Sequence, residues 1–229
     1  MAGWLPHAIA LNEPEVNGTL ALNWKSDSLP TTTIGLAHRK LVAGRRVEVL
    51  ANWFAQLLPA GSRVLDVGCG DGLISAVLQS KRPDIAVEGT DVLPRGHTHI
   101  PVQIFDGRRL PFENASFDVV LFSDVLHHTE DPIVLLQEAR RVARCILIKD
   151  HYREGLAANT RLRLMDWVGN ARFGVALPYN YWSQTQWRDA WEKLGLRSER
   201  QVTELGLYPF PANWVFGAKL HFIALLSPA

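Results

Sequence analysis

The run Val64-Leu65-Asp66-Val67-Gly68-Cys69-Gly70-Asp71-Gly72 constrains this chain more than any other segment. Val64 to Val67 read as a short buried strand, and a helix begins near Gly72 with Ile74, Val77 and Leu78 on one face. A glycine-rich turn between the two lets the backbone approach a ligand closely, and the open N–H groups of the helix start point at it. The segment therefore predicts a ligand-binding turn at one end of a parallel sheet.

The surrounding sequence repeats the alternation that such a sheet requires. A helix over about Leu36 to Leu58, with Val47, Leu50, Phe54 and Leu57 at helical spacing, leads into the first strand. Ile85 to Thr90 reads as a second strand ending in Asp91, and Val102 to Phe105 as a third ending in Asp106. Phe117 to Phe122 is apolar on both faces and should be central. Asp131 and Pro132 mark an N-cap and first helical position, with Leu136, Ala139 and Val142 or Ala143 facing the sheet, and Cys145 to Ile148 is a fifth strand.

Residues 149–182 read as an irregular insertion rich in aromatic and basic side chains. Ser183 and Gln186 then form a capping box for a helix that buries Trp187, Ala190, Trp191 and Leu194 and stops at Gly195. Two further strands are expected near Arg197 to Thr203 and Trp214 to Leu226. Residues 1–34, with Pro6, Pro14 and Pro30 and no sustained period, read as an N-terminal arm to a domain over 35–229.

Composition closes off several classes. The chain has 229 residues, 47% apolar and 21% charged, as a folded domain does, and 24 Lys+Arg against 23 Asp+Glu leave no global field toward nucleic acid or an anionic surface. Two cysteines, Cys69 and Cys145, are too few for a disulfide framework or an all-cysteine zinc site. The first ten residues lack a signal-peptide pattern, and no stretch has the roughly 20 apolar residues of a membrane span. A cytoplasmic location, with no stable membrane insertion and no nucleic-acid partner, is the expectation.

The ligand can be narrowed from the turn itself. A dinucleotide fingerprint asks for G-x-G-x-x-G, but Leu73 occupies the third glycine's place and Gly72 comes one position early. Asp66 also stands two residues before the first glycine, where a carboxylate is poorly placed beside a pyrophosphate. A cationic ligand end suits it better, and S-adenosyl-L-methionine (SAM) carries an ammonium and a sulfonium with no phosphate.

At these residues the sequence resembles the class I SAM-dependent methyltransferases, in their small-molecule, type 11-like branch. VLDVGCGDG is similar to their first motif, and Asp91 to the acid that holds the ribose hydroxyls. Asp106-Gly107, before Leu110-Pro111-Phe112, is similar to the adenine-edge segment. Phe117-Asp118-Val119-Val120 with Asp124-Val125-Leu126-His127-His128 resembles the fourth-strand motif. The resemblance implies a doubly wound, Rossmann-like α/β fold of seven strands with an antiparallel last strand. It also implies SAM held by Asp66, Gly68, Cys69, Gly70, Asp91, Val92, Asp106, Gly107 and Ser123, with S-adenosyl-L-homocysteine as product.

Each candidate has a plainer reading beside it. The glycines could serve any strand-to-helix turn, and Asp91 and Asp106 could be ordinary loop acids. Cys69 fits a small side chain packed under the turn better than a nucleophile. If the acceptor is a hydroxyl, an amine or an acidic carbon, a base must take its proton; His151 is the first choice and His127 the second, each weighed against a structural role. Tyr152, Tyr179, Tyr181 and Trp182 are the substrate-wall candidates, although core packing would explain each. Neither His97-Thr98-His99 nor Asp150-His151 shows a spaced partner that completes a metal site, and none is expected.

The sequence thus points to methyl transfer, by in-line displacement, to a small-molecule or lipid-like acceptor. Ser123-Asp124-Val125-Leu126 stands where nucleic-acid amino methyltransferases carry Asn or Asp-Pro-Pro-Tyr, which argues against DNA bases. A nicotinamide-dependent oxidoreductase and a SAM-binding subunit without turnover are the alternatives. Oligomeric state is not legible in the sequence.

Overall fold

The computed structural model describes residues 33–170, 178–210, 212–217 and 219–229. The proposed arm, apart from its last two residues, and the middle of the insertion lie outside them.

Seven strands form one sheet in the order β3-β2-β1-β4-β5-β7-β6. They are β1 Arg63–Val67, β2 Ala86–Asp91, β3 Val102–Ile104, β4 Phe117–Ser123, β5 Ala143–His151, β6 Leu196–Val202 and β7 His221–Pro228. The pairs joining β1 to β5 are parallel, while β7 runs antiparallel to both β5 and β6. This is the doubly wound, seven-stranded sheet with an antiparallel last strand that the family resemblance implies. The strand β4 takes the middle place, and Val119 to Phe122 are fully buried because helices cover both faces there.

The two faces form separate cores. On one side, Leu50, Phe54 and Leu57 of α1 (Thr33–Leu57) and Leu78 of α2 (Leu73–Lys81) cover Val64, Val119 and Leu147. On the other, Leu136 and Ala139 of α3 (Pro132–Val142) and Trp187 and Trp191 of α5 (Gln184–Lys193) cover Leu65, Val120 and Ile146. Burying each such large apolar side chain is worth about 1.5–3 kcal/mol. The caps form as the sequence indicates: Asp131 accepts the Ile133 N–H at 2.9 Å, and Ser183 and Gln186 close a full capping box. The edge strand β6 is exposed and laced with Arg197, Glu199 and Arg200, which discourage pairing with another chain.

Three expectations need correction. The fifth strand runs on to His151, so His151 lies within the sheet and not after it; pairing with β7 holds Lys149, Asp150 and His151 extended. The insertion is not irregular throughout, because residues Ala158–Asn170 form α4, with Ala158 and Leu162 packed beneath Tyr181 and Leu220. The final strand starts at His221 and not near Trp214, since Asn213–Gly217 wind into a π-helical turn.

Candidate active site

The sheet reverses direction of winding between β1 and β4, and open α/β sheets hold ligands outside the carboxyl ends of strands at that point. The loop after β1 turns there through Gly68, Gly70 and Gly72, all at positive φ. A Cβ on Gly68 would lie 2.6 Å from Val125 Cγ2, so the loop after β1 and the loop after β4 touch where only glycine fits. Gly70, in contrast, has open space where its side chain would stand.

Asp66 is buried beneath this turn, and Ser75 of α2 donates to its Oδ2 at 2.6 Å. Its Oδ1 is buried with no hydrogen-bond partner among the described residues. Burial pushes the carboxyl up to about 7, the Ser75 hydrogen bond offsets part of this, and nearby Asp91 adds to it. Such an acceptor, half satisfied and shielded from water, suits a ligand that brings a hydrogen-bond donor or a positive charge. The Oγ of Ser123 at the end of β4 is likewise buried without a partner. These orphaned atoms and the open side of Gly70 fit the amino-acid end of SAM.

The other cofactor candidates are brought to the same rim. Asp91 accepts the Gly70 N–H at 2.8 Å and the Leu93 N–H at 2.9 Å, so it braces the glycine turn and keeps lone pairs to spare. Val92, half exposed, stands 3.2 Å from where a Gly107 Cβ would be. Asp106 is exposed and caps its own loop by accepting the N–H groups of Arg108 and Arg109, each at 2.8 Å. The Cys69 thiol packs against Gly89, where an added Cβ would lie 2.6 Å from Sγ. Burial and the neighbouring Asp66 and Asp91 raise its pKa far out of the thiolate range, which makes it inert as a nucleophile.

Beside this crevice lies a buried ionic network that the sequence revealed only in part. At the end of β4, Asp124 turns at positive φ and pairs with Lys149 of β5 and Arg46 of α1. Lys149 Nζ also lies 3.3 Å from His221 Nδ1, whose Nε2 donates to the Phe216 carbonyl at 2.9 Å. Asp150 accepts from the Leu126 N–H at 3.1 Å, the His151 N–H at 2.8 Å and His127 Nδ1 at 2.7 Å. His127 Nε2 faces Asp166 of α4 at 3.3 Å, an ion-pair distance without hydrogen-bond alignment. The Tyr181 hydroxyl donates to the same Asp166 oxygen.

The charges decide the roles of the two histidines. Burial works against a charged His127, but Asp150 and Asp166 on its two nitrogens outweigh that and raise its pKa to about 10. It is held as an imidazolium with a carboxylate facing each nitrogen, so His151 stays the better-placed candidate base. With it counted, Arg46, Lys149 and His127 balance Asp124, Asp150 and Asp166. His151 differs. Burial and Lys149 lower its pKa, its Nδ1 donates to Asp150 Oδ1 at 3.3 Å, and no described residue hydrogen-bonds its Nε2. It is neutral with Nε2 able to take a proton.

The fold also supplies the partners that the sequence does not show beside Asp150-His151. Ligand atoms of Asp124, His127, Asp150 and His151 lie within 4.8 Å of one another, as do those of His127, His128 and Asp166. Arg46, Lys149 and the His127 proton already neutralise those carboxylates, so the arrangement is complete as an ion-pair network.

The substrate-wall candidates divide. Tyr181 stacks on His127, centroids 5.4 Å apart, and Tyr179 stands next to it beneath the Arg163 guanidinium. The Asn180 N–H bonds to the His127 carbonyl at 3.2 Å, which fastens this segment over the site. Tyr152 points to the opposite face of the sheet, stacked on Phe222 and bonded to Gln201, because successive strand residues alternate. Trp182 packs on Trp187 of α5. Neither meets the site. Sequence reasoning missed Arg46, Lys149 and Asp166, and it met Asp124 only as part of a motif and Asp150 only as a metal candidate; three ionisable residues closing an apolar strand, Lys149-Asp150-His151, were the available signal.

Among known proteins, a family model described as a methyltransferase domain matches residues 37–201. The 27-O-demethylrifamycin SV methyltransferase of Amycolatopsis mediterranei is 31% identical over 110 residues, 42% of this chain and 40% of that protein. The malonyl-[acyl-carrier protein] O-methyltransferase of Herminiimonas arsenicoxydans is 37% identical over 115 residues, 47% of this chain and 44% of that one. The chain thus matches less than half the length of either relative. In structure, a SAM-dependent methyltransferase from Aquifex aeolicus superposes with a TM-score of 0.57 at 20% identity, covering 85% of this chain and 98% of that one. The mitomycin 7-O-methyltransferase MmcR gives 0.56 at 18% identity, covering 85% and 56%.

Proposed function

We propose, starting from the fact that this chain belongs to the methyltransferase domain family, that it transfers a methyl group from SAM to a small-molecule or lipid-like acceptor, with His151 as the base. The observation that carries this reading is the pairing of two sites on one sheet edge. A crevice with an unpartnered buried Asp66 oxygen lies beside a neutral His151 whose Nε2 is free of hydrogen bonds among the described residues. The small-molecule end of the range is supported by relatives whose names state rifamycin and malonyl-carrier substrates.

SAM supplies a methyl group on a sulfonium, already activated toward a nucleophile. The chain's own part is to hold, orient and deprotonate. Asp66, through its unpartnered Oδ1, and the Gly68–Gly72 turn, braced by Asp91, would hold the amino-acid end of SAM. Val92, Asp106 and Gly107, grouped at the ends of β2 and β3, would hold its adenosine part. Positioning of this kind accounts for much of the rate enhancement when the leaving group is good.

His151 Nε2 takes the acceptor's proton at or before transfer. Asp150 fixes the tautomer by holding Nδ1–H, and the imidazolium that forms lies 3.3 Å from Asp150 and 3.6 Å from Asp124. His127 keeps Asp150 ionised: burial raises that carboxyl, but the His127 charge and hydrogen bond hold it well below the usual range. Tyr181 and Tyr179 wall the acceptor side.

The experiment is labelled methyl transfer from SAM into a metabolite and lipid extract, followed by mass identification of the product that gained one methylene. Transfer that disappears in His151→Gln supports the reading. SAM binding with no transfer into any fraction indicates a binding subunit, and NAD binding in place of SAM indicates an oxidoreductase.

A further inference from the structure

The helix α4 presents apolar side chains on two opposite faces. Its inner face, Ala158, Leu162 and Asp166, is buried against Tyr181, Leu220 and His127. Its outer face carries Leu164 and Trp167, 49% and 59% exposed, and Leu156 just before the helix is 96% exposed. A helix packed on a domain by one stripe ordinarily turns polar residues outward. Phe210, 89% exposed, lies three residues before the π-helical turn on which α4 packs. Leu156, Leu164 and Trp167 are three of the eight large apolar side chains that the described residues expose.

Charge accompanies the apolar stripe. At about 100° per residue, Trp167 and Leu164 lie side by side, with Arg163 on one flank and Arg161 on the other. Arg161 is half-buried, its Nε enclosed without a hydrogen-bond partner among the described residues; Arg163 lies over the Tyr179 ring, and the exposed Arg153, which donates to Gln186 at 3.4 Å, adds a third guanidinium. Against these three, the outward acids of residues 153–167 are Glu154 alone, because Asp166 is turned inward onto His127. An apolar stripe with a tryptophan, flanked by long cationic side chains, is what a helix lying in a lipid–water interface needs: the stripe enters the acyl boundary and the guanidinium groups reach the phosphates. No helix among the described residues is long and apolar enough to cross a membrane.

We propose that the outer face of α4, with Leu156, docks the protein on an anionic lipid bilayer. The inner face of the same helix holds Asp166 against His127, so docking sets the His151 site beside the membrane surface. This favours the lipid-like end of the acceptor range and in that respect rests on the proposed methyl transfer; the docking itself does not.

The test is sedimentation of the full chain with vesicles of phosphatidylcholine alone and of phosphatidylcholine mixed with phosphatidylglycerol. Two net basic charges near the surface predict binding tighter by roughly 30-fold on the anionic vesicles, weakening as salt is raised. Leu164→Ser combined with Trp167→Ser should lower that binding on the order of 10-fold or more. Val134→Ser, an exposed apolar position on α3, should leave it unchanged. SAM binding measured on the same variants should be unaltered, which separates a failure of docking from a failure of the methyltransferase reading. Equal binding to both vesicle types, no binding to either, or undiminished binding by the double variant would overturn the proposal. So would a concentration-dependent dimer that the double variant abolishes, since a second copy of the chain would then cover the face.

Discussion

His127 donates to Asp150 across 2.7 Å at a point where both side chains are buried, and this bond separates the roles of two adjacent histidines. The same Asp150 oxygen takes the His151 Nδ1–H at 3.3 Å. One imidazole is held as a cation between two carboxylates, and the other is kept neutral with a nitrogen to spare.

Replacing His151 by Gln is expected to lower kcat by about 10²- to 10⁴-fold while SAM binding is retained, as removal of a general base does. Because burial and Lys149 lower the His151 pKa from 6.5, the acid limb of the wild-type kcat/KM profile should fall below pH 6.5. A limb above pH 7 would assign the proton to another group.

His127 links stability to alkaline pH. Its folded pKa, about 10, lies above the ordinary 6.5, so its contribution is complete below pH 6.5 and disappears as pH rises through about 10. Urea unfolding of the wild type should therefore weaken across that window. In Asp166→Asn the loss should begin at lower pH, and NMR titration of the His127 ring should show the lowered pKa directly.

If Asp66 takes the SAM ammonium as proposed, cofactor binding should release protons. With its carboxyl at about 7, roughly half of the free protein carries the proton at neutral pH, and an ammonium on Oδ1 favours the ionised form. Calorimetric titration with SAM at pH 7 in buffers of different ionisation enthalpy should show proton release, and Asp66→Asn should abolish it and weaken binding about 10- to 100-fold. For the free protein the sign is that of a raised pKa: the contribution is present below pH 3.8 and is lost as pH rises through 7.

Gly89→Ala tests the packing under the glycine turn. Gly89 has no positive φ, so the cost comes only from the new Cβ, 2.6 Å from Cys69 Sγ and 3.0 Å from Ile100 Cδ1. A loss of about 1–3 kcal/mol is expected from such overpacking. It should be partly relieved in a Cys69→Ala background, as a thermal-unfolding double-mutant cycle would show.

The sequence by itself determined the elements and the glycine turn after β1. Apolar periodicity laid down strands and helices in nearly their observed places, and the Asp66–Gly72 turn, Asp91 and the Asp131 and Ser183 caps are local features that a few consecutive residues dictate. The histidine site was legible only as positions. His151 and His127 stand alike at strand ends in the sequence, and nothing there shows that Asp166, nearly 40 residues on from His127, would close on its Nε2. That arrangement required β5 to pair with the antiparallel β7, which keeps Lys149 to His151 extended, and α4 to bring Asp166 onto His127 in the turn after β4. Protonation follows from which charges face one another in a buried space, and only tertiary structure fixes those distances; the strand alternation that sent His151 to the site also sent Tyr152 to the opposite core.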